Sequence, residues 1–349
     1  VKKFLYLCDG LSKMGKVFTF GYRDTICEIV EGRGSIASVG TLVGKERNVL
    51  VVTDSGVPVQ YAESVIAQFS NASLLIIPQG EESKNFNTLE LIISALRQQG
   101  IDRSGALIAV GGGMTGDIAG FAASCYNRGI DFYNVPTTLL AQVDASIGGK
   151  TALNFGNIKN MVGTFHHPKG VVIDTETLKT LDSRHFYSGL AEVIKMAATS
   201  DADLFAILES DKPLMEILDE IVAAALRIKC DVVLKDPLEQ GLRKVLNFGH
   251  TIGHAIEVVA NGKLTHGESI AAGMTYFCSD EMRQRLEKIL KRYHLPVKSP
   301  FTGDMLLPYI SQDKKRNNGL ITTVYVESPG TYEFRKMTPE EIADLISIS

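Results

Sequence analysis

The chain has 349 residues, 45% hydrophobic and 22% charged, with a formal net charge of −4. At about 150 residues per domain this length predicts two domains, each with a core large enough to need no disulfide or metal staple. The charge balance excludes a nucleic-acid binder held by a basic face, the composition excludes global disorder, and no apolar run approaches the ~18 residues of a membrane span. Five scattered cysteines (Cys8, Cys27, Cys125, Cys230, Cys278), none in a CxxC pair, point to a reducing, cytoplasmic compartment. The basic-then-apolar opening from Val1 is cut short by Asp9, too early for a signal peptide, and Met14 is readable as an alternative start.

Strands and helical stretches alternate up to residue 174. Val49 to Asp54, Leu74 to Pro78, Ala106 to Val110, Phe132 to Pro136 and Val171 to Asp174 are short apolar runs without alternation, as expected of parallel strands covered on both faces. Between them, Asn87 to Arg97 carries apolar residues at three- and four-residue spacing, the helical period. After Thr175 the pattern is almost wholly helical, over 189–199, 201–235, 243–260, 267–291 and 338–347, with one late β-like piece from Leu320 to Val326. The expected organisation is an α/β domain with a mostly parallel sheet over 1–174, followed by an α-helical domain over 175–349.

Gly111-Gly112-Gly113-Met114-Thr115-Gly116-Asp117 follows the third strand and opens a helix, so backbone N–H groups can approach a pyrophosphate that no Cβ blocks. Its place differs from the usual dinucleotide fingerprint, which follows the first strand. Three further polar clusters follow strand ends, where open α/β sheets bind ligands: Asp54, Gly80 to Lys84, and Thr137-Thr138. In the second half, His250 and His254 stand at i and i+4, with His266 sixteen residues after His250 and Glu192 as a carboxylate at a helix start. Imidazoles with a carboxylate suit Zn2+, and spacing alone favours His250 and His254 as the ligand pair. Arg128, Lys150, Lys159-Asn160, Lys195, Lys229 and Lys314-Lys315 lie in or near these segments, as expected of a site for a phosphate- or carboxylate-bearing substrate. His166-His167 before Pro168 reads as a loop.

In order along the chain, GEESK, GGGMTGDIAGF, RG, PTTLLAQVDASIGGKTALN, KNMVGTF, LAEVIK, LNFGHTIGHAIE, HGE and DKK together resemble the 3-dehydroquinate synthases, within the sugar-phosphate cyclases, over about residues 49–330. The resemblance implies an α/β NAD-binding domain followed by a helical metal-binding domain. It makes Glu192, His250 and His266 the ligands of Zn2+ or Co2+, displacing His254 from the metal to the substrate. NAD contacts are implied for Asp54, Gln79, Gly80, Glu81, Glu82, Ser83, Lys84, Gly113, Met114, Thr115, Gly116, Asp117, Thr137, Thr138, Lys150, Lys159, Thr177, Leu178, Lys179 and Thr180. Substrate contacts and catalysis are implied for Asp144, Lys150, Asn160, Lys195, Lys229, Arg243, Asn247, His254 and Lys314, with Arg128 reaching a neighbouring subunit in a homodimer. The family substrate is 3-deoxy-D-arabino-heptulosonate 7-phosphate. Its C5 alcohol is transiently oxidised with NAD+, phosphate is eliminated, the ketone is reduced again, and an intramolecular aldol closure gives 3-dehydroquinate. The chain departs from the family at Ile158, where glycine is common, and at Ala145, where serine is common. Inosose and valiolone cyclases, metal-dependent glycerol or alcohol dehydrogenases, and a non-catalytic NAD-binding module are the alternatives.

Overall fold

The computed structural model describes residues 11–12, 15–22, 25–156, 158–312, 316–317 and 319–348; the readings of Met14 and Lys314 fall outside the described residues. The chain divides into two compact units, Val1–Leu181 and Asp182–Ser349. The division falls beyond residue 174 because the turn Thr175–Thr180 is tied to the first unit. Asp174 caps that turn, Gln142 donates to Thr177 Oγ1 at 3.0 Å, and Tyr61 Oη meets Thr180 Oγ1 at 2.9 Å.

The first unit contains strands β1 (Leu11–Ser12), β2 (Gly15–Tyr22), β3 (Thr25–Glu31), β4 (Asn48–Asp54), β5 (Asn71–Ile77), β6 (Ala106–Gly111), β7 (Asp131–Pro136), β8 (Lys150–Phe155), β9 (Ile158–Phe165) and β10 (Gly170–Ile173). Eight of them form one sheet in the order β1-β2-β3-β10-β7-β6-β4-β5. The six from β3 to β5 in that order pair in parallel, while β1 and β2 add antiparallel to the edge. Helices α1 (Val39–Val43), α2 (Val59–Ile66), α3 (Phe86–Gln98) and α4 (Gly113–Cys125) cover the sheet. Leu50 and Val52 pack into a core with Ile92, Leu96 and Ile118, whereas Val49 and Val51 pack into another with Ala62 and Val65. Burial on both faces is why these strands read as unbroken apolar runs.

Two features were not anticipated. Strands β1, β2 and β3 precede the first strand recognised in the sequence. Outside the sheet, β8 and β9 form an antiparallel hairpin whose register shifts between Leu153 and Phe155. The hairpin was missed because its outer residues Phe155, Ile158, Met161 and Phe165 are apolar yet exposed, so the sequence lacks an alternating signal. Its first strand packs against α4 at Gly120.

In the second unit lie α5 (Ser183–Ser200), α6 (Ala202–Glu209), α7 (Leu214–Lys235), α8 (His250–Ala260), α9 (His266–Met274), α10 (Asp280–Arg292), α11 (Gly303–Ile310) and α12 (Pro339–Ile348). A small antiparallel sheet of β11 (Arg316–Asn317), β12 (Leu320–Tyr325) and β13 (Glu333–Met337) joins them, incorporating the late β-like piece. Three expected helical stretches are each divided. Pro213 caps the start of α7 and separates it from α6. Gly249, in the left-handed region at φ 77, ends the 3-10 turn region before α8. Ser279 restarts the chain as the N-cap of α10, accepting from Met282 N at 3.2 Å. Among the described residues no helix is long and apolar enough to cross a membrane.

A Cβ at Gly120 would lie 2.6 Å from Thr151 Cγ2 and 2.9 Å from Phe132 Cε1. Gly120→Ala should therefore destabilise by about 1–3 kcal/mol through overpacking, exceeding the roughly 1 kcal/mol gain in helix propensity. A rise in the denaturation midpoint would show that the contact relaxes freely.

Candidate active site

Three helices of the second unit converge on Glu192. This residue lies on α5 and is 1% exposed. His250 is the first residue of α8 and His266 the first of α9, each set by the preceding cap. Their Nε2 atoms lie 3.7 and 3.4 Å from Glu192 Oε1, and one donor atom from each of the three residues falls within 4.8 Å of the others. The far side of each imidazole is held. His250 Nδ1 donates to the Phe248 carbonyl at 3.1 Å, and His266 Nδ1 donates to Glu257 Oε2 at 2.9 Å. Because a carbonyl and a carboxylate only accept, both rings turn Nε2 toward Glu192, the orientation of metal-ligating histidines with backing acceptors.

The donor set therefore fits a divalent cation. Burial opposes charge on His266, but hydrogen bonds and charge from Glu192 and Glu257 outweigh it and raise its pKa to about 10. Metal ligands must be deprotonated, so a cation bound here would compete with the proton on His266. Lys195, one turn beyond Glu192 and also 1% exposed, forms an ion pair with the other carboxylate oxygen.

His254 shares the α8 face with His250, and their ring centroids are 5.1 Å apart. It is nevertheless exposed and stands outside the Glu192 group, so the spacing-based pairing of His250 with His254 gives way to His250 with His266. Spacing along a helix suggested His254, and the approach of α9 was signalled in sequence only through the family resemblance, which had already named His266. Lys229 on α7 is buried, and Arg243 is 2% exposed on the 3-10 turn Leu242–Asn247. Asp236 accepts from the backbone N–H groups of Gln240, Gly241 and Arg243 at 2.7–2.9 Å, shaping the loop that presents Arg243. Burial favours the protonated form of Asp236, but these three donors prevail and lower its pKa. Arg243 Nη1 donates to Pro237 O at 2.9 Å, and Asn247 Nδ2 donates to Glu239 Oε1 at 2.8 Å.

Two carboxylates were overlooked in sequence. Glu257 had a signal, since i+7 from His250 places it on the same helix face. Glu239 had none: it sits in an irregular loop at φ 59.

In the first unit the expected nucleotide residues gather where the parallel strands end. Asp54 Oδ1 accepts from Gly56 N at 2.9 Å and Oδ2 from Thr115 Oγ1 at 2.6 Å, tying β4 to the start of α4. A carboxylate has about four acceptor sites, so capacity for a ribose hydroxyl remains. Gly112 caps α4 and a Cβ there would meet Thr138 Cγ2 at 3.2 Å, so the turn is as narrow as its glycines allow. Gly113, Met114, Gly116 and Asp117 occupy the first turn of α4, each partly exposed. Gln79, Gly80 and Glu82 are exposed beyond β5, Glu81 is half-buried, and Ser83 is buried. Lys84 is 3% exposed, with Nζ 2.6 Å from Asp117 Oδ2 and hydrogen-bonded to Asn160 Oδ1. Asn160, at φ 53, also receives support from Asn154 Oδ1, which accepts from its backbone N–H at 2.8 Å. Lys150 and Lys159 are exposed on the hairpin and Asp144 is half-buried in the turn Ala141–Ala145. Thr137 is buried; Thr138 Oγ1 accepts from Ala141 N at 3.2 Å. Thr177 is buried by its bond to Gln142, Lys179 and Thr180 are exposed, and Leu178 turns its side chain into the core, leaving only backbone for a ligand.

A Glu–His–His group around a buried carboxylate paired with lysine, on a chain that also carries a glycine turn at parallel strand ends, is the arrangement of a metal-dependent, nucleotide-using enzyme. Residues 74–188 match the family model for the 3-dehydroquinate synthase N-terminal region, and residues 189–316 match that for its C-terminal region. A 3-dehydroquinate synthase of Enterococcus faecalis is 42% identical over 330 residues, covering 88% of this chain and 92% of the relative. Among solved structures, 2-epi-5-epi-valiolone synthase from Streptomyces hygroscopicus subsp. jinggangensis 5008, with NAD+ and Zn2+ bound, superposes with TM-score 0.84 at 27% identity, covering 94% of this chain and 98% of that one. A 2-deoxy-scyllo-inosose synthase complexed with carbaglucose-6-phosphate, NAD+ and Co2+ gives TM-score 0.81 at 26% identity, covering 94% and 99%. The chain belongs to the 3-dehydroquinate synthase family. It is a phosphate-eliminating cyclase forming 3-dehydroquinate, and the valiolone and inosose cyclases are more distant relatives.

Glu257→Gln should weaken Zn2+ binding by roughly 10–100-fold, measured by competition with a chelator. Unchanged affinity would remove Glu257 from its orienting role. Burial raises the Asp117 carboxyl from 3.8 to about 6 against the opposing charge of Lys84. A folded pKa above the unfolded one means that its stabilising contribution is full below 3.8 and is lost as pH rises through about 6. Carbon-13 NMR of the aspartate carboxyls should place this midpoint near 6, and Lys84→Met should move it higher. A midpoint near the ordinary value of about 4 would contradict the burial.

Proposed function

We propose that Glu192, His250 and His266 hold Zn2+ or Co2+, that NAD binds at the strand-end rim of the first unit, and that the substrate is 3-deoxy-D-arabino-heptulosonate 7-phosphate. The observation carrying this reading is the convergence of two imidazole Nε2 atoms on Glu192 Oε1, each ring backed by its own acceptor. When bound, the metal supplies Lewis-acid polarisation of a substrate hydroxyl, and NAD supplies a reversible hydride acceptor.

Among the chain's own residues, Lys229 and Arg243 provide buried cations for the substrate's anionic groups. Their burial removes the water that would weaken such pairing. Asn247, held by Glu239, orients hydroxyls, and Lys314 adds a further cation. In the second unit, exposed His254 exchanges protons with the substrate and Lys195 adds a cation; in the first unit, Asn160, Lys150 and Asp144 are the polar groups available to the substrate. In the nucleotide site, Asp54 meets ribose hydroxyls and the first turn of α4 meets the pyrophosphate. The 79–84 segment, Thr137, Thr138, Lys150, Lys159 and the 177–180 turn supply the remaining contacts.

The reading includes a homodimer in which Arg128 reaches a neighbouring subunit. Asn127, Arg128 and Gly129 have φ of 50, 66 and 113, and this turn presents an exposed arginine. It also includes a cytoplasmic setting, supported by Cys125, Cys230 and Cys278 remaining thiols.

Incubation with the heptulosonate phosphate and substoichiometric NAD+ should release phosphate over many turnovers with no net NADH. His250→Ala should lose metal and turnover by more than the roughly 10–100-fold cost of losing an acceptor behind a ligand, while NAD still binds. Net NADH formation on glycerol would overturn the cyclase assignment, and phosphate release surviving chelation would overturn the metal assignment.

A further inference from the structure

Arg184, Ser188 and Glu192 occupy positions i, i+4 and i+8 of α5, so three successive turns present one face. All three address the first turn of α9. Arg184 forks onto Glu268, with Nε 2.7 Å from Oε1 and Nη2 2.7 Å from Oε2. Glu268 is the capping-box residue of α9: its Oε2 accepts from Thr265 N at 2.7 Å, while Thr265 Oγ1 accepts from Glu268 N at 3.2 Å. Ser188 Oγ accepts from Gly267 N at 3.0 Å. A Cβ at Gly267 would lie 1.9 Å from Ser188 O, so the two helices meet backbone to backbone beside His266. One turn on, Glu192 Oε1 stands 3.4 Å from His266 Nε2.

We propose that Arg184 and Ser188 are positioning residues for the metal site, fixing the start of α9 so that His266 Nε2 is held at coordinating distance from Glu192. The inference rests on Glu192, His250 and His266 being the ligands. Arg184 is half-exposed, and an ion pair in that setting contributes little to global stability. Its bidentate geometry instead fixes orientation. Arg184 Nη2 also donates to Lys263 O at 2.6 Å, fastening the loop that leads into the cap. Glu192 and His266 are 74 positions apart in sequence, and this clamp sets their separation without either belonging to it.

The test compares Co2+ affinity and the visible absorption spectrum of bound Co2+ in wild type, Arg184→Ala, Ser188→Ala and Arg285→Ala. Arg285 provides a matched control, forking onto Glu209 with contacts of 2.8 and 2.6 Å between α10 and α6. Arg184→Ala should weaken Co2+ binding roughly 10–100-fold and alter the spectrum, with a metal-free Tm close to that of Arg285→Ala. Ser188→Ala, which removes one hydroxyl, should weaken binding about 5-fold and decides the matter if Arg184→Ala does not fold. Affinity and spectrum equal to wild type in Ser188→Ala and in folded Arg184→Ala, or a loss in Arg184→Ala matched by Arg285→Ala, would overturn the proposal. His266→Ala checks the ligand reading separately: if wild type takes up no Co2+, or His266→Ala binds it as tightly as wild type, that reading itself fails.

Discussion

A carboxylate taken out of water must be matched by opposite charge or by hydrogen-bond donors, and Glu192 imposes that requirement at the centre of the helical unit. One oxygen faces the ammonium of Lys195 and the other faces two imidazoles. Because these partners come from α5, α8 and α9, the buried carboxylate ties the three helices together by electrostatics as well as packing. The glycines permit this. A Cβ at Gly273 would lie 2.2 Å from Gly249 O, and one at Gly253 would lie 2.6 Å from Ile270 Cδ1, so α8 and α9 approach closely only because neither position carries a side chain.

The same compensation recurs in the α/β unit with a different outcome. Lys84 is buried against Asp117 and bound to the hairpin through Asn160, which connects the loop after β5, the first turn of α4 and β9. Expected ligand contacts are therefore also structural parts of the rim: Asp54 closes a turn and holds Thr115, and Thr177 is fixed by Gln142. A rim held in this way needs little rearrangement to accept a ligand, which conserves binding energy for the reacting centre.

Motif residues were legible wherever chemistry and spacing coincide along the chain. The glycine turn, the 250–254 pair, Glu192 and the cationic residues could all be read directly. Boundaries were less legible where one local feature broke a continuous apolar pattern, as Pro213 and Gly249 do. The hairpin escaped because its outer face is apolar and exposed, and Glu239 because a loop has no period.

The sequence by itself determined the class of fold, the family and the inventory of metal, nucleotide and anion-binding side chains, because these depend on residue type and order. The family resemblance already set His266 in place of His254 beside Glu192; only tertiary structure gives the physical reason for it. Helical spacing favours His254 as partner to His250, since i and i+4 always share a face. The burial of Glu192 and the docking of α9 on α5 bring His266 to that carboxylate instead and leave His254 exposed. Local periodicity acts over a turn or two, whereas matching a buried charge selects partners from anywhere in the chain.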